Sequence, residues 1–255
     1  MLIPDGDSGV QTCSAPAVLE VEDLQYTYPD GRSGLLGVSF RIVQGEKMAL
    51  AGGNGAGKST LLAHLNGVRQ GRGRIRVEGV ELGPGTLAHV RSRVGLVFQD
   101  PDDQLFCPTV WEDVAFGPSN QGLAAAQVES RVRSALECVD LAGYQDRSPF
   151  HLSLGEKKRV ALATVLACEP SVLALDEPTA ELDPKHRRAL IRWLQACSRT
   201  LLVASHDLEM VLEVCDRCLI LEAGRLRADG PTRVLLGDAA LMEETGLEVP
   251  VSLRG

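Results

Sequence analysis

The run Gly52-Gly53-Asn54-Gly55-Ala56-Gly57-Lys58-Ser59-Thr60 fits the pattern G-x-x-x-x-G-K-[ST] without a gap. Its chemistry is polyphosphate binding. The glycines let backbone N–H groups turn inward around phosphate oxygens, and a following helix adds its partial positive charge. Lys58 reaches the β- and γ-phosphates, and Ser59 offers its hydroxyl to Mg²⁺. The flanks suit the motif. Lys47-Met48-Ala49-Leu50-Ala51 reads as a buried strand, and Leu61 to Gly67 reads as a helix closed by glycine.

A second chemical centre is Asp176-Glu177. Four apolar residues, Val172 to Leu175, precede it, so Asp176 ends a buried strand. In an open parallel sheet, ligands bind at that edge. Asp176 is placed to hold Mg²⁺ directly or through water, and Glu177 to polarise a water for in-line attack. Gln99 also ends a strand, within reach of metal and attacking water. Asp183 lies in the loop after the Asp-Glu pair. His206 follows the strand Leu201 to Ser205 and can hydrogen-bond a γ-phosphate, although a lone histidine is more often structural. Tyr28 reads equally well as a stacking platform for adenine or as a core tyrosine.

Leu152-Ser153-Leu154-Gly155-Glu156 precedes a helical pattern. Ser153 with Glu156 three residues on is a capping box, which simply starts a helix. The serine hydroxyl and bare amides there also make an anion site. That site can receive the γ-phosphate of a nucleotide held by a second molecule. The two readings are compatible.

These groups need elements to position them. Residues 17–28 and 35–43 alternate apolar and polar around Pro29-Asp30-Gly31 and read as half-buried antiparallel strands. Further strands are expected at 46–51, 73–79, 94–98, 172–175, 200–204 and 218–222. Helices are expected at 109–116, 123–141, 156–167, 184–197 and 208–214, with one or two short ones after Gly230. Strands alternating with helices imply a mostly parallel, doubly wound sheet. The stretch from 100 to 165 carries little strand signal and reads as a helical subdomain.

Composition narrows the class. The chain has 255 residues, 44% hydrophobic and 24% charged, an ordinary globular mix. A net charge of −8 disfavours bulk attraction to nucleic acid or an anionic bilayer. No apolar run approaches bilayer length. Residues 1–16 lack a signal-peptide pattern and read as a loose tail. The seven cysteines (Cys13, Cys107, Cys138, Cys168, Cys197, Cys215, Cys218) are odd in number and scattered, which suits a reducing cytosol. Cys215 and Cys218 have redox or zinc spacing but no second pair, and read as core filler.

In this order, Tyr28, the loop 52–60, Gln99, the segment 152–156, Asp176-Glu177, Asp183 and His206 resemble the ATP-binding cassette ATPases over residues 17–235. The resemblance implies a P-loop ATPase fold of α/β class: a mostly parallel sheet, an N-terminal antiparallel β subdomain, and a helical signature subdomain. It implies ATP and Mg²⁺ as ligands, Glu177 as general base and His206 as γ-phosphate sensor. It implies a head-to-tail dimer, with itself or with a second such ATPase, in which Ser153 and Gly155 of one chain meet the triphosphate of the other. Asp183 joins that nucleotide site. The signature departs from Leu-Ser-Gly-Gly-Gln: Leu154 and Glu156 replace a glycine and the glutamine. Leu154 is expected to cost backbone freedom and hinder closure.

Phe98 to Phe106 (FQDPDDQLF) and Thr109 to Gly117 (TVWEDVAFG) look like the ATPase subunits of energy-coupling-factor importers, especially the cobalt and nickel branch. The bland alternative is an acidic surface turn before a helix. The resemblance implies a peripheral place at the cytoplasmic face, beside a membrane coupling subunit and a substrate-binding membrane subunit. Residues 236–255 are then a short extension. Two rivals stand beside it: a soluble cassette ATPase of DNA repair or translation, and a nucleotide sensor that never hydrolyses.

Overall fold

The computed structural model describes residues 16–254. The expected tail therefore lies, but for Pro16, outside the described residues, as does Cys13. β1 (Ala17–Thr27) and β2 (Ser33–Val43) pair antiparallel, as the alternation requires. β3 (Lys47–Ala51) leads through the glycine loop into α1 (Lys58–Leu65), and Gly67 turns the chain out of it at φ +71°. β4 (Arg72–Val77) and β5 (Val80–Glu81) complete a four-stranded antiparallel sheet in the order β2-β1-β4-β5.

α2 (Leu87–Arg93) then feeds β6 (Val94–Val97). Three helices follow: α3 (Val110–Asn120), α4 (Ala125–Cys138) and α5 (Leu154–Leu166). They pack on one another through Val110, Val114, Val132, Leu136 and Val160. The chain returns to the sheet with β7 (Val172–Asp176), α6 (Pro184–Ala196), β8 (Thr200–Ala204), α7 (Leu208–Val214), β9 (Arg217–Glu222) and β10 (Arg225–Pro231). α8 (Thr232–Gly237) packs on α7, and α9 (Ala239–Glu244) packs on α8.

The larger sheet runs β10-β9-β3-β8-β7-β6, parallel except for the edge strand β10. Its inner strands are apolar through their middles, with polar residues only at their ends, because both faces are covered. Met48 and Leu50 face one core with α1 and the small sheet, while Ala49 and Ala51 face the other with the helices. Parallel pairing brings the carboxyl ends of β3, β6, β7 and β8 to one edge. Leu50, Ala204 and Asp176 stand side by side in that edge's register.

Several boundaries differ from the sequence reading. α1 begins at Lys58, inside the phosphate motif, because the loop's last glycine is already the helix N-cap. α3 runs through Gly117-Pro118 to Asn120. Pro118 stands buried in its last turn, and a Cβ on Gly117 would meet the sulfur of Cys168, so glycine eases the approach of α3 there. α2, β5 and β10 are absent from the sequence reading. α2 buries only Val90, and β10 is a half-exposed edge strand carrying Arg225, Arg227 and Asp229. Cys215 and Cys218 are 4% and 0% exposed, and the six cysteines among the described residues are free.

Candidate nucleotide site

The loop between β3 and α1 curls at the sheet edge. Gly57 caps α1 at φ +109° with the carbonyl of Gly34 2.9 Å from the place of a Cβ, so a side chain is excluded. The backbone carbonyl of Leu221 crowds Gly52 in the same way. The loop opens on a cavity of about 710 Å³ lined by Tyr28, Arg32, residues 54–60, Gln99, Glu177 and His206. A neighbouring cavity of about 520 Å³ shares Ser59 and Gln99 and adds Asp176, Lys158 and Leu154. Gln99 thus lies between the two.

Lys58 is buried and donates to the carbonyls of Gly52 (2.8 Å) and Gly53 (3.2 Å). Tyr28 is half-buried, with its hydroxyl on Thr60 and the guanidinium of Arg32 5.4 Å from its ring centre. It belongs to neither core, so the reading of Tyr28 as a core tyrosine does not hold.

Asp176 is 6% exposed. Burial pushes its carboxyl up, against the Ser59 hydroxyl beside it, which favours the charged form. Its Oδ1 has no hydrogen-bond partner among the described residues. A buried carboxylate oxygen left bare, next to a hydroxyl, is a donor pair that suits a small hard cation bridging to phosphate. Mg²⁺ therefore fits these residues.

Glu177 takes a left-handed backbone at φ +44°, a costly conformation for a residue with a side chain. Neighbouring groups hold it there. Its N–H donates to the carbonyl of Ala204 (2.9 Å), and Lys158 Nζ donates to its carbonyl (3.3 Å). The carboxylate accepts from Ser205 Oγ (2.9 Å) and from the His206 amide (3.1 Å). His206 Nδ1 stands 2.9 Å from Oε2, and Lys58 Nζ 3.7 Å from Oε1. The structure thus gathers Lys58, Ser59, Asp176, Glu177, Gln99, His206 and Tyr28 at one edge.

It does not bring Ser153, Gly155 or Asp183 to that cavity in the same chain. Ser153 caps α5 in a full capping box. Its amide and hydroxyl donate to Glu156 Oε2 at 2.9 and 2.7 Å, and the Glu156 amide donates back to Oγ. The Ser153 hydroxyl, the Ser153 amide and the Tyr144 hydroxyl hold the Glu156 carboxyl at about 2, against an ordinary 4.5. Gly155 packs on the ring of His186. Asp183 caps α6 and pairs with His186 Nδ1 at 2.5 Å. Leu154 is the first residue of α5 and is absent from the residues at positive φ. Its backbone is ordinary helix, so the expected conformational cost is not there.

Sequence reasoning passed over five residues, Ser205, Lys158, Thr179, Arg187 and Asp207. Ser205 and Lys158 touch Glu177, and Arg187 grips Asp207 through two bonds of 2.8 and 2.9 Å. Thr179 Oγ1 also donates to Asp207. The available signal was the polar run Ser205-His206-Asp207 directly after an apolar strand.

A family model described as ABC transporter matches residues 35–180. A Geobacter sulfurreducens relative is 52% identical over 93% of this chain and 96% of its own length. The chain belongs to the ABC transporter family. It is an ATP-binding ATPase with the P-loop ABC fold. The ATPase is also 46% identical to the energy-coupling factor transporter ATP-binding protein EcfA of Methanothermobacter thermautotrophicus, over 91% of this chain and 77% of that one. Among solved structures it resembles cbiO1 of Clostridium perfringens, described as part of the ABC transporter complex cbiONQ. The TM-score is 0.77 and the identity 36%, over 89% of this chain and 94% of that chain.

Proposed function

We propose that the ATPase powers an importer of the energy-coupling-factor type, taking up cobalt or nickel ions or another micronutrient, and that it works as a pair of ATPase chains. The observation that carries the pairing is the split site. The phosphate-loop cavity holds Lys58, Glu177 and His206, while the capped start of α5 lies outside it. A second chain, a copy or a related ATPase, supplies Ser153 and Gly155 to that cavity, with Asp183 joining from the loop beside it.

The cassette spans 17–235, its helical part runs over about 100–165, and 236–255 form an extension. Tyr28 stacks on adenine, and residues 52–60 cradle the phosphates. Ser59, Gln99 and Asp176 hold Mg²⁺, which neutralises phosphate charge when bound. Glu177 takes the proton of the attacking water, and His206 senses the γ-phosphate. ATP binding draws the pair together, and hydrolysis releases it.

The importer reading is supported by the likeness to EcfA and cbiO1 and by the segment Asp100-Pro101-Asp102-Asp103 beside Gln99. Asp102 and Asp103 are exposed there, in a short turn built on buried Pro101. That turn suits a basic helix from a membrane subunit at the cytoplasmic face. Among the described residues no helix is long and apolar enough to cross a membrane. Co-purification from membranes tests this reading. Recovery of integral membrane subunits supports it; recovery of ribosomal or DNA-repair proteins alone defeats it. Equal turnover by Glu177→Gln and wild type removes Glu177 as base.

A further inference from the structure

We propose that Ser205 is a positioning residue for hydrolysis, its hydroxyl holding the Glu177 carboxylate in place while the triphosphate is bound. The proposal rests on the reading of Glu177 as general base. Ser205 is 0% exposed. A buried hydroxyl is costly unless its donor and acceptor are both used. Here both are. The Asp207 amide donates to Ser205 Oγ at 3.1 Å, which turns the hydroxyl proton toward Glu177 Oε2 at 2.9 Å. The backbone of Ser205 is fixed as well: its N–H donates to the carbonyl of Leu50 on β3 at 3.2 Å. That strand leads straight into the phosphate loop. Ser205 therefore ties the base to the element that carries the phosphate cradle.

The neighbours explain why this contact matters. Three side chains approach the Glu177 carboxylate: Lys58, His206 and Ser205. Lys58 and His206 also line the phosphate cavity, and a bound triphosphate competes for both. Ser205 does not line that cavity and is closed to nucleotide. Once phosphate draws Lys58 and the His206 ring away, the Ser205 hydroxyl and the His206 amide are what still hold the carboxylate. An attacking water must be met within a few tenths of an ångström, and a displacement of about 1 Å can cost 10²-fold in rate. Ser205 makes no contact with substrate, so its loss falls on kcat and leaves ATP affinity alone.

The test uses the full chain with its membrane partners. It compares Ser205→Ala, Ser205→Thr, Glu177→Gln and Ser205→Ala/Glu177→Gln, with ATP binding and melting midpoint measured alongside turnover. Ser205→Ala is expected to lower kcat about tenfold to a hundredfold. Its KM and ATP affinity stay within about twofold of wild type, since the residue stands off the cavity. Ser205→Thr, which keeps the hydroxyl, recovers part of the rate. The double variant is no slower than Glu177→Gln alone, because the hydroxyl acts through that carboxylate. Wild-type kcat in Ser205→Ala overturns the proposal while leaving the base in place. A rate loss that persists in the Glu177→Gln background, or that comes with lost ATP binding or a collapsed melting transition, assigns a merely structural role and also overturns it. Wild-type turnover by Glu177→Gln defeats the base reading itself, whatever Ser205→Ala does.

Discussion

Lys58 Nζ lies 3.7 Å from Glu177 Oε1, with both side chains more than nine-tenths buried. The cation proposed to bind phosphate and the carboxylate beside it both line the cavity proposed for nucleotide. Removing Lys58 takes away one partner of Glu177 and leaves it Ser205 and His206. Lys58→Met should cost about 1–3 kcal/mol of stability without nucleotide. Lys58→Met/Glu177→Gln should cost less than the sum of its parts. Urea denaturation of the four proteins checks this. Strict additivity means that the pair does not interact.

Acid should loosen the signature helix through Glu156. Its folded carboxyl sits at about 2 against an ordinary 4.5. A lowered folded value gives stability that is complete above about 4.5 and lost as pH falls toward 2. Melting midpoints of wild type and Glu156→Gln should therefore diverge above pH 4.5 and converge below it. Parallel curves across that window would show that Glu156 contributes no pH-dependent stability.

Leu154→Gly should not accelerate turnover. The leucine occupies an ordinary helical position at the start of α5, so a glycine relieves nothing and weakens the helix by up to about 1 kcal/mol. A lower melting midpoint with unchanged or reduced kcat is the expected result. A severalfold gain in kcat would mean that the side chain itself obstructs pairing.

Thiol labelling should divide the cysteines by burial. Cys138 is exposed, while Cys215 and Cys218 are buried. Burial drives both buried thiols far up, that of Cys218 to about 12. Iodoacetamide at pH 8, followed by peptide mapping, should modify Cys138 and spare the other two until urea unfolds the chain. Early modification of Cys218 would place β9 outside the stable sheet.

The parallel sheet was legible because its strands are short and apolar through their middles, several with motif residues at or just after their carboxyl ends. Val172 to Leu175 before Asp176 is the clearest case. The capping box at Ser153 and Glu156 was equally plain, since both partners lie three residues apart on one chain segment. α2 and β5 were not legible, because one buries a single side chain and the other is two residues long, while the alternation of Arg225 to Asp229 in β10 was a signal passed over. Ser205 and Lys158 were missed for another reason. Each meets Glu177 across a large gap in sequence, from β8's end and from α5, and no spacing rule links such distant positions.

Leu50, Ala204 and Asp176 form one rank across three adjacent strands. The glycine loop begins two residues beyond Leu50, Ser205-His206 follows Ala204, and Glu177 follows Asp176. None of the three can drift without dragging its neighbours through the shared ladder. Heat should therefore abolish turnover and melt the sheet together, with no intermediate temperature at which a folded enzyme idles.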